Sequence, residues 1–120
     1  MQTLQQERAK HALVQVKSWV GLGDSSKLKA RSSELPFMIH ANGLGQAAAF
    51  FKSKKNKDGY DVVFAALQSW LRQKGCPLAD RSDLMQAVVE ADLHTYRMAQ
   101  AESIQYMDWI KKFACAYLAD

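Results

Sequence analysis

Residues 92–118, DLHTYRMAQAESIQYMDWIKKFACAYL, decide the fold class. The stretch contains no Gly or Pro. Leu93, Tyr96, Ala99, Ile104, Met107, Ile110, Phe113, Ala114, Tyr117 and Leu118 recur mostly at three- and four-residue steps. That spacing places them along one face of an α-helix. The simplest reading is one long closing helix from about Asp92 to Leu118.

Outward from this helix, nearly every segment carries the same period. From Thr3 to Val20 the apolar positions are Leu4, Ala9, Ala12, Leu13, Val16, Trp19 and Val20, and Gly21 and Gly23 stop the run. Asp24 or Ser25 can cap a second helix over about 25–33, which carries Leu28. Pro36 suits the first turn of a third, short helix with Phe37, Met38 and Ile39 facing inward, and Ser33 is its candidate cap. Asn42-Gly43 breaks the path before an Ala-rich segment over about 44–53. There Leu44, Ala47, Ala48 and Phe51 share a face that Phe50 broadens.

A basic loop ending at Asp58-Gly59 leads to a helix from about Tyr60 to Lys74. Its stripe is Tyr60, Val63, Phe64, Leu67, Trp70 and Leu71. Gly75 and Pro77 end it. Asp80 or Ser82 can start a short helix carrying Leu84, Met85, Val88 and Val89. No β-type alternation persists, no internal repeat is evident, and the turns are short. The expectation is an all-α fold: a single domain spanning 1–120, built as a compact bundle of about six helices with a long C-terminal one.

Length and composition agree with that expectation. A chain of 120 residues with 48% hydrophobic content can bury a core without disulfides or metals. The polar start, Met1 to Lys10, lacks the apolar centre of a signal peptide, and no apolar run reaches membrane-spanning length. These features lead us to expect a soluble, cytoplasmic protein without a membrane partner. Cys76 and Cys115 have no metal-ligand spacing, and the apolar neighbours of Cys115 suggest a buried free thiol.

The search for chemistry finds little. His11, His40 and His94 are isolated, with no paired ligand spacing, so neither metal nor cofactor is expected. No nucleophile elbow or triad context is recognisable. Asp80 and Asp83 sit near a helix start, where the macrodipole favours carboxylates. Asn42-Gly43-Leu44-Gly45 superficially resembles a phosphate loop, yet it is neither Walker A nor GxGxxG and no strand precedes it. Packing or a positive φ explains its glycines more simply. The chain reads as a non-enzyme.

Charge is the stronger signal. The net charge is +4, but residues 1–60 hold ten Lys/Arg against four Asp/Glu, and residues 61–120 hold six against eight. Lys52, Lys54, Lys55 and Lys57 form one cluster, and Lys27, Lys29 and Arg31 another. Arg8, Lys10 and Lys17 lie along the first helix. Brought together, these groups make a phosphate-binding surface indifferent to sequence. Taken singly, each is as readily a solvated lysine. Trp19, Trp70 and Trp109 fall on amphipathic stripes and suit core packing, and no RRM, KH or OB pattern is present.

One stretch carries a family resemblance. LPFMIHANGLGQAAAFF, residues 35–51, is similar to the hallmark of the small α-helical subunit of type III-B CRISPR effector complexes, the Cmr or RAMP-module complex. Its structural centre is Asn42, Gly43, Leu44, Gly45 and Gln46. Three further features extend the resemblance over essentially the whole chain. They are an opening helix with Arg8-Ala9 that ends at Trp19, a Tyr60-containing helix ending in Trp70-Leu71, and YMDWIKKFA at 106–114.

The resemblance implies a noncatalytic subunit in antiviral defence. Copies of it stack as an inner filament beside the backbone and large subunits and support guide and target RNA. In such RNA-guided systems base pairing reads the sequence while protein holds the backbone. The residues expected to contact RNA are Lys10, Lys17, Lys27, Lys29, Arg31, Lys52, Lys54, Lys55 and Lys57. A helical protein-interaction module with no direct RNA contact is the alternative.

Overall fold

The chain forms six helices among the residues described by this computed structural model, 1–79 and 83–119. They are α1 (Leu4–Ser18), α2 (Ser25–Asn42), α3 (Leu44–Ser53), α4 (Tyr60–Leu71), α5 (Leu84–Glu90) and α6 (Leu93–Tyr117). No strand occurs among the described residues. The starts of α1, α2 and α6 carry side-chain caps. Thr3 and Gln6 form a capping box on α1 (Thr3 N to Gln6 Oε1 2.9 Å, Gln6 N to Thr3 Oγ1 3.1 Å). Asp24 accepts from Ser26 N on α2, and Asp92 accepts from Thr95 N on α6.

The long closing helix is central. Its inward residues Ala99, Ser103, Tyr106, Met107, Ile110 and Ala114 are buried, and α1, α2 and α4 all pack against it. Side-chain pairs fix the directions. Arg8 meets Glu102, His11 meets Tyr106 and Lys17 meets Tyr117, so α1 runs parallel to α6. The α2 helix then returns antiparallel, so that the first residues of α3 just beyond it, Leu44 and Gly45, meet Gln100 and Tyr96. The α3 helix runs back, and α4 reverses again to bring Trp70 to Glu102. One end of the bundle therefore gathers the C-terminal ends of α1, α3 and α6 with the N-terminal ends of α2 and α4.

Several expectations need correction. The segments over 25–33 and from Pro36 are not two helices but one, with Pro36 inside α2. An internal proline forfeits a backbone bond and costs about 3 kcal/mol. Here Leu28, Leu35 and Ile39 form one continuous buried stripe, with Pro36 buried beside it. Each fully buried aliphatic side chain contributes about 1.5–3 kcal/mol, so the stripe outweighs the break.

Phe37 is not inward. It stands on the opposite side of α2 and is 70% exposed. Cys115 is exposed, because the adjacent Ala114 takes the buried position on α6. The α4 helix ends at Leu71, with Arg72 as its C-cap, and irregular turns occupy the stretch expected to continue to Lys74. In α5 the cap is Asp83, which accepts from Met85 N at 3.0 Å, and Val89 points outward. The suggested starts Asp80 and Ser82 lie outside the described residues.

Candidate nucleic-acid interface

The basic residues are best followed from the α3–α4 loop. The α3 helix ends in Lys52 and Ser53, and Lys54 caps it in right-handed geometry. Lys55 (φ 55°) and Asp58 (φ 52°) then adopt left-handed backbone, followed by Gly59 (φ 83°) at the start of α4. A left-handed conformation is unfavourable for residues with a Cβ, so the loop needs fastening. One fastening is visible: Asp58 pairs with Lys27 at 3.0 Å, tying the loop to the first turn of α2. The pairing holds the Asp58 carboxyl below its ordinary range and raises Lys27.

A second fastening is aromatic. The Arg31 guanidinium lies 4.4 Å from the Tyr60 ring centroid, and the Lys54 ammonium is 4.9 Å from Phe50 and 5.8 Å from Tyr60. Arg31 also ion-pairs with Glu34 at 3.2 Å, in a geometry that makes no hydrogen bond. Tyr60 contacts Phe50 and Phe51 edge-on, and burial raises its hydroxyl pKa. Thus Lys27, Arg31 and Lys54 are partly occupied holding the loop, while Lys52, Lys55 and Lys57 are exposed around it.

The predicted basic set is brought together only in part. Lys27, Arg31, Lys52, Lys54, Lys55 and Lys57 share the end of the bundle defined above. Lys17 reaches the same end from α1, its ammonium 5.5 Å from the Tyr117 ring. Lys29 is half-buried on α2. Lys10 stands apart, about two turns back along α1, beside a groove with Leu4, Val14 and Trp70. Sequence reasoning missed Lys111 and Lys112, which are exposed near the C-terminal end of α6 and add charge to this end. Their signal was an adjacent basic pair, hidden by reading that helix for its apolar stripe.

Arg8 belongs elsewhere. Its guanidinium bonds both oxygens of Glu102 (2.5 and 2.9 Å), and Trp70 Nε1 donates to the same carboxylate at 2.9 Å. Trp70 stacks on Tyr106 with centroids 5.4 Å apart. His11 completes the group, with Nδ1 2.7 Å from the Tyr106 hydroxyl and Nε2 3.1 Å from Ser69 Oγ. The Glu102 hydrogen bond raises Arg8, whereas burial lowers His11 and pushes the neighbouring Cys76 thiol up to about 11. Such a thiol is a poor nucleophile near neutral pH. His40 and His94 are exposed, and among the described residues no three His, Cys, Asp or Glu side chains converge on a metal-sized site.

The Asn42–Gln46 segment is the α2–α3 joint. Gly43 caps α2 through its N–H to Ile39 O (2.9 Å) and takes φ 87°, ψ 160°, open to glycine alone at low cost. A Cβ on Gly43 would lie 3.2 Å from the Tyr96 hydroxyl, and one on Gly45 would lie 3.4 Å from it. Leu44 N donates to Gln100 Oε1 (2.8 Å) and Gly45 N donates to the Tyr96 hydroxyl (2.9 Å). The first amides of α3 are therefore occupied by α6 rather than open to an anion. Leu44 is buried beneath them, and Asn42 and Gln46 face solvent.

An all-α body of six helices with basic side chains gathered at one end defines a small helical protein. Comparison with known proteins sharpens that class. Residues 4–117 match the family model of the CRISPR-associated Cmr5 proteins. A solved structure of a CRISPR-associated Cmr5 family protein from Thermus thermophilus superposes with a TM-score of 0.84 at 26% identity, covering 98% of this chain and 100% of that one. The chain belongs to the Cmr5 family, the small helical subunits of type III-B (Cmr) CRISPR effectors in antiviral defence.

Proposed function

We propose that this chain is a noncatalytic, cytoplasmic subunit of the Cmr assembly that braces guide and target RNA through their phosphates. In this reading it sits beside the backbone and large subunits, with further copies of itself stacked in a filament. The observation that carries the proposal is the clustering of Lys27, Lys52, Lys54, Lys55 and Lys57 at one end, with Lys17 approaching from α1. Lys52 at the end of α3 and Lys54, Lys55 and Lys57 in the loop after it, fastened by Asp58 and Tyr60, offer a positive surface without base-reading geometry. That suits an assembly whose sequence reading is done by base pairing.

The test is the triple variant Lys52→Glu, Lys55→Glu, Lys57→Glu in the assembled effector. Target RNA capture should fall by more than tenfold at moderate salt. Each lost phosphate contact on a single strand lowers the salt-dependence slope by about 0.7, so three should lower it by about 2. Unchanged capture and slope would reject these lysines as the contact surface.

A second reading has its own support. Phe37 projects from α2, and Leu4 and Val14 are exposed beside a groove of about 580 Å³ between α1 and the turns after α4. Exposed apolar groups of this size suit protein contacts. If assembly brings no RNA near the lysines, the chain is a helical interaction module. A Phe37→Ser variant that loses incorporation while the triple lysine variant keeps normal RNA capture would favour that reading.

A further inference from the structure

Beside the basic loop lies a shallow groove of about 330 Å³ between the end of α3 and the first turns of α4. Its floor is Phe64 and Ala65, its rim carries Lys52 and Lys55, and Asp61 and Gln68 supply its polar edges. The Lys52 ammonium lies 5.9 Å from the Phe64 ring centroid, so a cation can reach that ring's face. Gln68 Oε1 is taken by Leu84 N at 3.0 Å, which leaves its amide hydrogens as donors. Asp61 is exposed on α4 and can accept.

We propose that this groove holds one unstacked RNA base, with the phosphates on either side of it lying on Lys52 and Lys55. The inference rests on the RNA reading above and adds to it, since phosphate contacts alone require no concave surface. A floor of the Phe64 ring and alanine suits a flat heterocycle, and an aromatic neighbour gives stacking that any base can use. Asp61 adds a bias. Adenine, cytosine and guanine carry an exocyclic amine that can donate to its carboxylate, whereas uracil presents carbonyls in those places. Contact with the lysine track selects RNA over an apolar peptide, because the rim is positive and continues into Lys54 and Lys57. The groove is too small and too open for a helix to seat in.

Fluorescence anisotropy with the full chain tests this. Three single-stranded RNA octamers are compared: all-adenosine, all-uridine, and an adenosine octamer with base-less ribose at alternate positions, which keeps every phosphate. The adenosine octamer should bind about tenfold more tightly than the base-less one, and more tightly than uridine. Ala65→Leu fills the groove without altering charge. It should bring adenosine binding down to the base-less level with the salt slope unchanged. Asp61→Asn, a milder change, should erase the preference for adenosine over uridine. Equal binding of the intact and base-less octamers overturns the groove and leaves the phosphate reading standing. Failure of all three octamers to bind the folded chain overturns both.

Discussion

Two polar regions use positive charge in opposite ways. At the α1–α4–α6 junction, Arg8, Glu102, Trp70, Tyr106, His11 and Ser69 turn their polar atoms on one another. At the end of the bundle, Lys52, Lys55 and Lys57 are left to solvent. The difference is where each side chain falls relative to the apolar stripe. Arg8 and Glu102 retain only 15% and 12% of their side-chain exposure, so each needs the other. The lysines lie in the last turn of α3 and the loop after it, beyond the core, where they keep their hydration. Burial commits Arg8 and Glu102 to each other; exposure leaves Lys52, Lys55 and Lys57 open to a partner.

The sharpest way to break this contrast is Glu102→Ala. It strands the Arg8 guanidinium and the Trp70 N–H in a mostly dry place. A loss of about 2–4 kcal/mol of folding stability is expected in chemical denaturation. RNA affinity of the molecules still folded should not change. If the RNA affinity falls and the stability does not, the roles of the two regions are exchanged.

Gly43→Ala should cost about 1–3 kcal/mol, because a Cβ is forced into the φ 87° joint against the Tyr96 hydroxyl. Thermal unfolding with and without Tyr96→Phe separates backbone strain from crowding. A midpoint for Gly43→Ala equal to the unsubstituted chain would remove the joint from the account.

A smaller effect concerns pH. Burial lowers the folded-state pKa of His11 below the ordinary 6.5. Between that lowered value and 6.5 the unfolded chain binds more protons than the folded one. The His11 contribution is therefore complete above pH 6.5 and is lost as pH falls through the folded value. Urea unfolding across pH 5 to 8 should show this loss, and His11→Gln should flatten it. Equal slopes for both proteins would assign the acid sensitivity to other groups. The smallest expected change is Lys27→Ala. It should leave the thermal midpoint unaltered while speeding hydrogen exchange of the loop amides at 55–58. Unaltered exchange would mean the Lys27–Asp58 pair does not fasten the loop.

Much of the fold is legible in the sequence because apolar spacing governs helix burial directly. The middle of the α6 stripe, the Ala-rich α3 and the Gly59 start of α4 all follow from period and turn chemistry, whereas Leu93 and Tyr117 at the two ends of the stripe are exposed. Pro36 misleads because local propensity speaks for a break, whereas packing along Leu28, Leu35 and Ile39 is settled only in three dimensions. Phe37 and Cys115 mislead for a related reason. A helix can place one apolar residue outside while its neighbour takes the core position. The candidate site was half legible. Lysine clusters show in the sequence, but Lys27 reaching Asp58 and Arg31 covering Tyr60 depend on α2 and α4 meeting at one end. Arg8 could not be separated from the lysines by composition, since only the Glu102 contact marks it as structural.

The central claim is that the basic end, and not the Arg8 junction, lies against RNA in the assembled effector. Photocrosslinking of target RNA in the native complex, with the attached peptides identified by mass spectrometry, tests it most directly. The account predicts crosslinks within residues 52–64, lost in the triple lysine-to-glutamate variant. Crosslinks confined to other parts of this subunit, or a subunit free of crosslinks in a complex that holds its target, would contradict it.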